Sequence, residues 1–314
     1  MSIYSKILVV ADINHDEQPA LARAMQLAQK STSVSHITFF LSIYDFSYDM
    51  TSMLSLEERD AMRKGVIHQR EQWMRSIAEP YLDKSVQFDI KVVWHNRPYE
   101  AIIGEIFAGE HDILIKATRK HDMLESVIFT PTDWHLMRKC PTPVLLVKNA
   151  DWPENANIIA SVHVGSELDT HIDLNDRMVE QLLNLSKRLG ASPYLVNAYP
   201  VTPANITIEL PEFDPTTYTD AVRGHHLTAM KALRQKHGLS EEQTLVQQGL
   251  PEDVIPAAKQ LNAAMVILGT TGRTGLSAVF IGNTAEHVID KINCDVLALK
   301  PNGYVSPLDP QTAI

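Results

Sequence analysis

The residues best suited to chemistry form a glycine-rich segment, GTTGRTGLSAVFIGNT, at 269–284. It follows an apolar run at 264–268 and contains four of the 13 glycines of the chain. Glycine lets the backbone approach a ligand closely, so that consecutive N–H groups can point at an anion. A helix that begins near Gly282 would add unpaired N–H donors and the positive end of its dipole. The segment therefore predicts a site for phosphate-like groups.

Two common phosphate-binding motifs are absent. The P-loop needs a Gly-Lys pair, which the chain lacks, and the dinucleotide motif GxGxxG does not occur. What stands instead is G-x2-G-x9-G, formed by Gly269, Gly272 and Gly282. A glycine turn after a strand is also common for purely structural reasons, so both interpretations stay open on the motif alone.

Length and composition exclude several classes of protein. A chain of 314 residues predicts two domains, and the net charge of −10 disfavours a nucleic-acid binder, which needs a basic surface. No apolar run approaches the roughly 20 residues of a membrane span, and the N-terminus lacks the pattern of a signal peptide. The two cysteines, without a CxxC pair, are typical of a reducing compartment. We expect a cytoplasmic protein.

An internal repeat sets the domain organisation. TPVLLVK at 142–148 matches CDVLALK at 294–300, an offset of 152 residues. At the same offset, HDILIKATRK at 111–120 matches AAMVILGTTG at 263–272. One fold is therefore used twice, and we predict domains at 1–150 and 151–314.

Each half alternates short apolar runs with longer helical patterns. Strands that are apolar throughout suit a parallel sheet buried on both faces. We predict two tandem α/β domains, each an open, doubly wound parallel sheet of five strands with helices on both faces. The predicted strands are 6–11, 36–43, 88–93, 112–115, 144–147, 158–162, 194–198, 244–247, 265–268 and 296–299. The predicted helices are 18–29, 56–81, 98–107, 133–138, 175–189, 218–237, 252–261 and 284–292. Ligands of such sheets bind beyond the carboxyl ends of the strands, which is where the glycine segment lies.

The G-x2-G-x9-G spacing after the fourth strand, with the closing strand CDVLAL at 294–299, resembles the universal stress protein family. VVWHNRP, FTPTDWH and GNTAEHVID extend the resemblance, which covers nearly the whole chain, once in each half. It implies a nucleotide-binding-like fold whose glycine loop holds ATP phosphates and whose first strand ends in an aspartate that contacts adenosine. It also implies that the two halves pair through their last strands. A homodimer is a further expectation.

The second half keeps most of this pattern. The three glycines match, but Asn283 stands where the family has Ser or Thr, and His163 stands where it has the aspartate. The candidate ligand-binding residues are Gly269, Thr270, Gly272, Arg273, Gly282, Asn283, Thr284, Val162, His163 and Ala198. ATP is a candidate ligand of this domain, no cofactor is expected to be required, and another small anionic ligand stays open.

The first half departs from the family pattern in its glycine loop and keeps the aspartate at the end of the first strand. It keeps Asp12, but Ala117, Lys120 and Thr130 fill the three glycine positions, and Pro131 brings no N–H. We therefore predict that this half does not bind ATP in the manner of the family and serves architecture or partner contact. Because the fold manages this corner without glycine, the glycines of the second half favour a ligand role.

The sequence gives less support to a metal site or to hydrolytic catalysis. The chain has 13 histidines, but no HExxH or CxxC spacing, so a zinc site could only be built from distant residues such as His163, His171 and His287. No nucleophile elbow or local acid–base pair indicates a hydrolase, and no catalytic residue is assigned. The preferred hypothesis is a stress-response protein that binds a nucleotide or small anion. The alternatives are a slow ATPase, a metal-assisted enzyme, or a scaffold that binds another amphiphilic ligand in the same cleft.

Overall fold

The computed structural model contains two compact units, residues 1–150 with 305–314, and residues 151–304. It describes residues 4–30, 35–47, 54–121, 124–128, 130–148, 152, 156–201, 214–250, 253–270 and 292–311. The sequence analysis assigned the last ten residues to the second half, whereas they group with the first unit in the structure. There the buried Ser306 donates its hydroxyl to the carbonyl of Lys139 at 2.7 Å.

The first unit has five parallel strands in the order β3-β2-β1-β4-β7. Their bounds are β1 Lys6–Val10, β2 His36–Ile43, β3 Gln87–Trp94, β4 Ile113–Ala117 and β7 Val144–Val147. A short antiparallel hairpin, β5 Arg119–His121 with β6 Leu124–Ile128, follows β4. The sequence analysis did not predict this hairpin, because its residues show neither a helical period nor an apolar run.

The helices of the first unit begin where local signals place them. They are α1 Pro19–Gln29, α2 Leu56–Ala78, α3 Pro98–Gly109 and α4 Pro131–Lys139, with a 3₁₀ turn at Glu79–Tyr81. A capping box of Ser55 with Glu58 starts α2, and one of Thr130 with Asp133 starts α4.

The second unit repeats the strand order as β10-β9-β8-β11-β12, again parallel. Its strands are β8 Asn157–Ser161, β9 Ser192–Tyr199, β10 Thr244–Gln248, β11 Ala263–Gly269 and β12 Asp295–Leu299. Its helices are α5 Asp169–Leu189, α6 Pro215–Lys236 and α7 Val254–Gln260. Helix α5 starts six residues earlier than predicted, and all but the last residue of the helix predicted at 284–292 lie outside the described residues.

The central strands carry the core of each unit. In β1, Ile7, Leu8 and Val9 are all fully buried because helices cover both faces of the sheet. The chain leaves β1 toward β2 and later returns to the other side of it as β4, so the strand order reverses between β1 and β4. The same reversal falls between β8 and β11. The expected doubly wound α/β fold is confirmed, and each reversal opens a cleft at the carboxyl ends of the strands.

Two glycines of α3 allow a matched test of the local packing. Gly104 is exposed and a Cβ there would meet nothing within 4 Å, whereas a Cβ at Gly109 would overlap the buried His111 ring. We expect Gly104→Ala to stabilise the first unit by about 0.5–1 kcal/mol, because alanine has the higher helix propensity. Gly109→Ala should destabilise it by about 1–3 kcal/mol. Urea unfolding of both variants checks the pair, and equal effects would contradict the His111 contact.

Candidate functional site

A side-chain amide holds the residue at the end of the first strand. In the first unit, the main-chain N–H of Asp12 donates to Gln18 Oε1 at 2.9 Å, and Gln18 Nε2 donates back to the Asp12 carbonyl at 2.9 Å. The same Nε2 also donates to the carbonyl of His15. Gln18 is buried, so these bonds are protected from water. They fix Asp12 at the carboxyl edge of the sheet.

The second unit holds His163 in the same way with a different residue. The N–H of His163 donates to Asn175 Oδ1, and Asn175 Nδ2 donates to the His163 carbonyl, both at 3.0 Å. Asn175 is buried within α5, whereas Gln18 immediately precedes α1. The structure therefore supports the equivalence of Asp12 and His163 that the repeat indicated. Sequence reasoning missed both amides, because the spacings of six and 12 residues differ.

Thr270 has a structural role that its sequence position did not reveal. Its side chain is only 1% exposed, and its hydroxyl donates to the carbonyl of Leu299 at 3.0 Å. In the first unit, the hydroxyl of Thr118 donates to the carbonyl of Val147 at 3.2 Å. Since the unit without the glycine motif uses its threonine identically, this bond accounts for Thr270 without a ligand.

Gly269 also has a structural reason to be glycine. A Cβ at this position would lie 2.6 Å from Cδ2 of Leu174 and 3.1 Å from Sδ of Met178, both on α5. The equivalent Ala117 lies on a strand that packs against α1, which contributes the small buried residues Ala20 and Ala24. A side chain at 269 would therefore require Leu174 to shift, whereas Ala117 lies on a strand that faces a helix with smaller buried residues.

Val162 and Ala198 lie at the ends of β8 and β9 as predicted from sequence. Val162 is buried, and its N–H donates to the carbonyl of Val196, while Ala198 is half-buried. Asn197, the residue before Ala198 on β9, was not among the residues predicted for the site. Its Nδ2 donates to the Val162 carbonyl at 3.0 Å, and its Oδ1 lies 2.8 Å from Nδ1 of the buried His226.

Because the Asn197 amide donates through Nδ2, its Oδ1 is an acceptor, and His226 therefore carries a proton on Nδ1. The Nε2 atom of the ring then has the lone pair. A Cβ at Gly165, in the turn after β8, would lie 2.5 Å from this Nε2. The His226 ring is thus packed against the turn that carries His163 away from the strand.

Several histidines meet at this edge of the second unit. The ring centroids of His163 and His171 are 5.7 Å apart, and His171 Nδ1 lies 2.7 Å from Ser166 Oγ. Desolvation by surrounding protein lowers the pKa of His163, and repulsion from His171 lowers it further. Burial lowers the pKa of His226, with smaller contributions from His225 and His163. These two rings are therefore mainly neutral at pH 7 and gain charge as the pH falls.

The equivalent corner of the first unit contains a buried ion pair. Lys116 Nζ, near the end of β4, lies 2.7 Å from Oδ1 of Asp133, which is fully buried in the first turn of α4. Lys116 Nζ also donates to the Ala117 carbonyl at 3.1 Å. The other carboxylate oxygen of Asp133 accepts from the N–H and the hydroxyl of Thr130, both at 2.8 Å. A carboxylate of the protein itself thus occupies the helix N-terminus where an anion would bind.

The remaining candidates, Gly272, Arg273, Gly282, Asn283 and Thr284, lie outside the described residues, as does His287. Within the described part of the chain, no group of three or more His, Cys, Asp or Glu side chains is arranged to hold a metal ion. None of the helices in that part has both the length and the apolar character needed to cross a bilayer.

Comparison with known proteins decides the family. The model of the universal stress protein family matches residues 3–148 and again 169–300. The chain belongs to the universal stress protein family. It is 55% identical to Universal stress protein E of Salmonella typhi and 54% identical to that of Escherichia coli K12, in each case over 311 residues and 98% of both chains.

A solved structure supports the tandem universal stress protein fold. A functionally unknown protein from Pseudomonas aeruginosa PAO1 superposes with a TM-score of 0.69 at 27% sequence identity, covering 95% of this chain and 93% of the other. The resemblance seen in the residues is thus confirmed for the family and for the fold.

The contact at Gly269 yields a coupled test. We expect Gly269→Ala to destabilise the second unit by about 1–3 kcal/mol, because its Cβ collides with Leu174. Leu174→Ala alone should cost about 2–5 kcal/mol through the cavity it leaves. The double variant should cost clearly less than the sum, since the smaller side chain makes room for the new methyl group. Denaturant unfolding measures all three, and simple additivity would argue against the contact.

Proposed function

We propose that this protein is a stress-response protein whose second domain binds a nucleotide of the ATP type, or another small anionic ligand. The ligand lies at the carboxyl ends of β8 and β11, between the glycine segment and the turn that follows β8. In this proposal, the first domain provides architecture and partner contact rather than a second anion site.

The difference between the two units at one corner carries the proposal. The first unit fills the anion position at the start of α4 with its own Asp133 and neutralises this carboxylate with Lys116. At the repeat offset of 152 residues, the second half has Leu268 and Ala285 in these places. Neither residue can form an ion pair, so the pair of Lys116 and Asp133 has no counterpart at these two positions of the sequence.

The histidines support the same assignment. His163, where the family has an acid, removes a negative charge from the cleft, and His171 and His226 lie near it. A bound anion would stabilise the protonated form of these rings. The amide of Asn175 bonds His163 through its backbone N–H and carbonyl, so this contact does not use the imidazole.

A slow ATPase is the second candidate activity. Nothing in the sequence motifs supplies a dedicated base, so turnover would depend on bound water and on the positioning of the phosphates. A metal-assisted activity would need a site that includes residues outside the described part of the chain. A scaffold with another amphiphilic ligand in the same cleft would release that ligand, rather than ATP, when freshly purified protein is denatured and examined by mass spectrometry.

The cellular location and the assembly are part of the proposal. Both cysteines, Cys140 and Cys294, are buried and free, which suits a reducing compartment, and we place the protein in the cytoplasm. Pairing of the two halves through their last strands, and a homodimer, stay predictions.

ATP binding tests the proposal directly. We expect wild-type protein to bind ATP, and Gly282→Trp to raise the Kd at least tenfold (about 1.4 kcal/mol), because the indole occupies the space of the phosphates. Isothermal titration calorimetry measures both. Gly65→Trp, at an exposed glycine of α2 with nothing within 4 Å, is the matched control and should bind as wild type does. Equal affinity of the Gly282→Trp variant would remove the glycine segment from the site.

The titration of the histidines predicts a pH dependence. Since the pKa values of His163 and His226 are lowered in the free protein, a bound anion that raises them couples binding to proton uptake. The Kd for ATP should therefore fall by about three- to tenfold from about pH 8 to about pH 6. His163→Gln should reduce this dependence to the part due to His226 and to the titration of ATP itself. An unchanged profile in that variant would exclude His163 from the site.

A further inference from the structure

The first unit contains a cavity of about 200 Å³ at the point where its strand order reverses. The ends of β1, β2 and β4 form its floor, and α3 and the first turn of α4 form its walls. Its apolar lining comes from residues such as Val10, Leu41, Pro98 and Ile102. An apolar cavity of about 150 Å³ in another protein is known to hold benzene, so this one has room for a small substituted ring.

The polar groups of the lining favour a ligand that donates hydrogen bonds. Asp12 presents a carboxylate, of which 17% is exposed. Its Oδ1 accepts from the N–H and from Nδ2 of Asn14, both at 3.0 Å, and each oxygen of a carboxylate can accept more than one bond. Ser42 donates its own hydroxyl proton to the carbonyl of His95 at 3.2 Å, so its oxygen faces the cavity as an acceptor. The half-buried Thr132 has no hydrogen-bond partner among the described residues.

The cationic group of the lining cannot serve an anion. Lys116 lines the cavity, but its Nζ is 2.7 Å from the buried Asp133 carboxylate and donates to the Ala117 carbonyl. At the start of α4, Pro131 has no N–H, and the N–H of Asp133 is bonded to Thr130 Oγ1 at 3.3 Å. The charged donor Lys116 and the N–H of Asp133 are therefore used within the protein, and a phosphate would find no unpaired cation in this lining.

The formal charges around the cavity add up to a negative value. Asp12 and Asp133 contribute two negative charges and Lys116 contributes one positive charge, so the sum is minus one when His15 is neutral. His15 is largely exposed, and its Nδ1 lies 3.1 Å from Asp12 Oδ2. A phosphate or carboxylate in this cavity would meet repulsion, whereas an ammonium group would meet attraction.

We propose that the first unit binds a small amphiphilic amine in this cavity, with its apolar body against Val10, Leu41 and Ile102 and its ammonium group directed at Asp12. The acceptor oxygens of Ser42 and Thr132 complete its hydrogen bonds. The two domains then take ligands of opposite charge, an anion in the second and a cation in the first. The proposal for this cavity does not depend on the proposed anion site, because the two lie in different domains.

Three probes of similar size and different charge test the chemistry. Benzylamine, benzyl alcohol and benzoate share one ring and differ in the polar group. We expect benzylamine to bind the full chain with a Kd on the order of 1 mM, and benzoate to bind at least about tenfold more weakly. Binding is measured by ligand-observed NMR. Benzoate that binds as tightly as benzylamine, or no binding of benzylamine at millimolar concentration, overturns the proposal.

Variants locate the binding in the first unit. Asp12→Asn keeps the shape of the side chain and should reduce the preference for benzylamine over benzyl alcohol by about tenfold. Thr132→Trp, at the half-buried wall, should abolish the binding of both probes. Circular dichroism checks that each variant folds. If one of the two variants does not fold, the other alone decides where benzylamine binds.

Gly282→Trp is the control in the second unit and should leave benzylamine binding unchanged. A loss of benzylamine binding in that control would overturn the assignment to the first unit.

Discussion

A parallel strand that ends inside a buried sheet leaves peptide groups without partners, and both units depend on side chains that satisfy these groups. Gln18 and Asn175 each bond the N–H and the carbonyl of one residue beyond the first strand of their unit. Thr118 and Thr270 each add a hydroxyl bond to a carbonyl of the last strand, which also accepts the N–H of the same threonine. Because the two amides replace strand pairing and the threonines reinforce it, the chain can leave the sheet and open a cleft without losing order at its edge.

The two copies of the fold have kept this framework and changed what faces the cleft. The first unit places a lysine and a buried aspartate where an anion would bind. The second places a histidine cluster at the same edge and has no charged residue at either position of that ion pair. A duplicated domain can diverge in this way at little cost, since the amide bonds that hold the strand ends reach only the backbone of Asp12 and of His163 and leave their side chains out.

Much of the fold followed from the sequence because buried parallel strands need apolar residues on both faces. Runs such as KILVV in β1 and AMVIL in β11 therefore located the sheet, and the repeat added a check on each strand. The start of α5 was placed too late, because its first six residues, DTHIDL, are mainly polar. The hairpin after β4 had no periodic signal at all.

The candidate site was harder to predict because it depends on contacts between distant residues. The repeat correctly paired Asp12 with His163, but it compares positions and not their surroundings. It could not show that Leu174 on α5 leaves no space for a side chain at 269. Nor could it show that Asn197 links the end of β8 to His226, since the three elements come together only in the folded chain.

The return of residues 305–314 to the first unit has a consequence for how the chain matures. The first unit is made of two separate pieces of chain, and the second unit is an insertion between them. All of residues 151–304 are synthesised before the second piece of the first unit. The hydrogen bond from Ser306 to the Lys139 carbonyl therefore forms only after the residues of the second unit have been made. Although it comes first in the sequence, the first unit cannot be complete until the chain of the second has been synthesised.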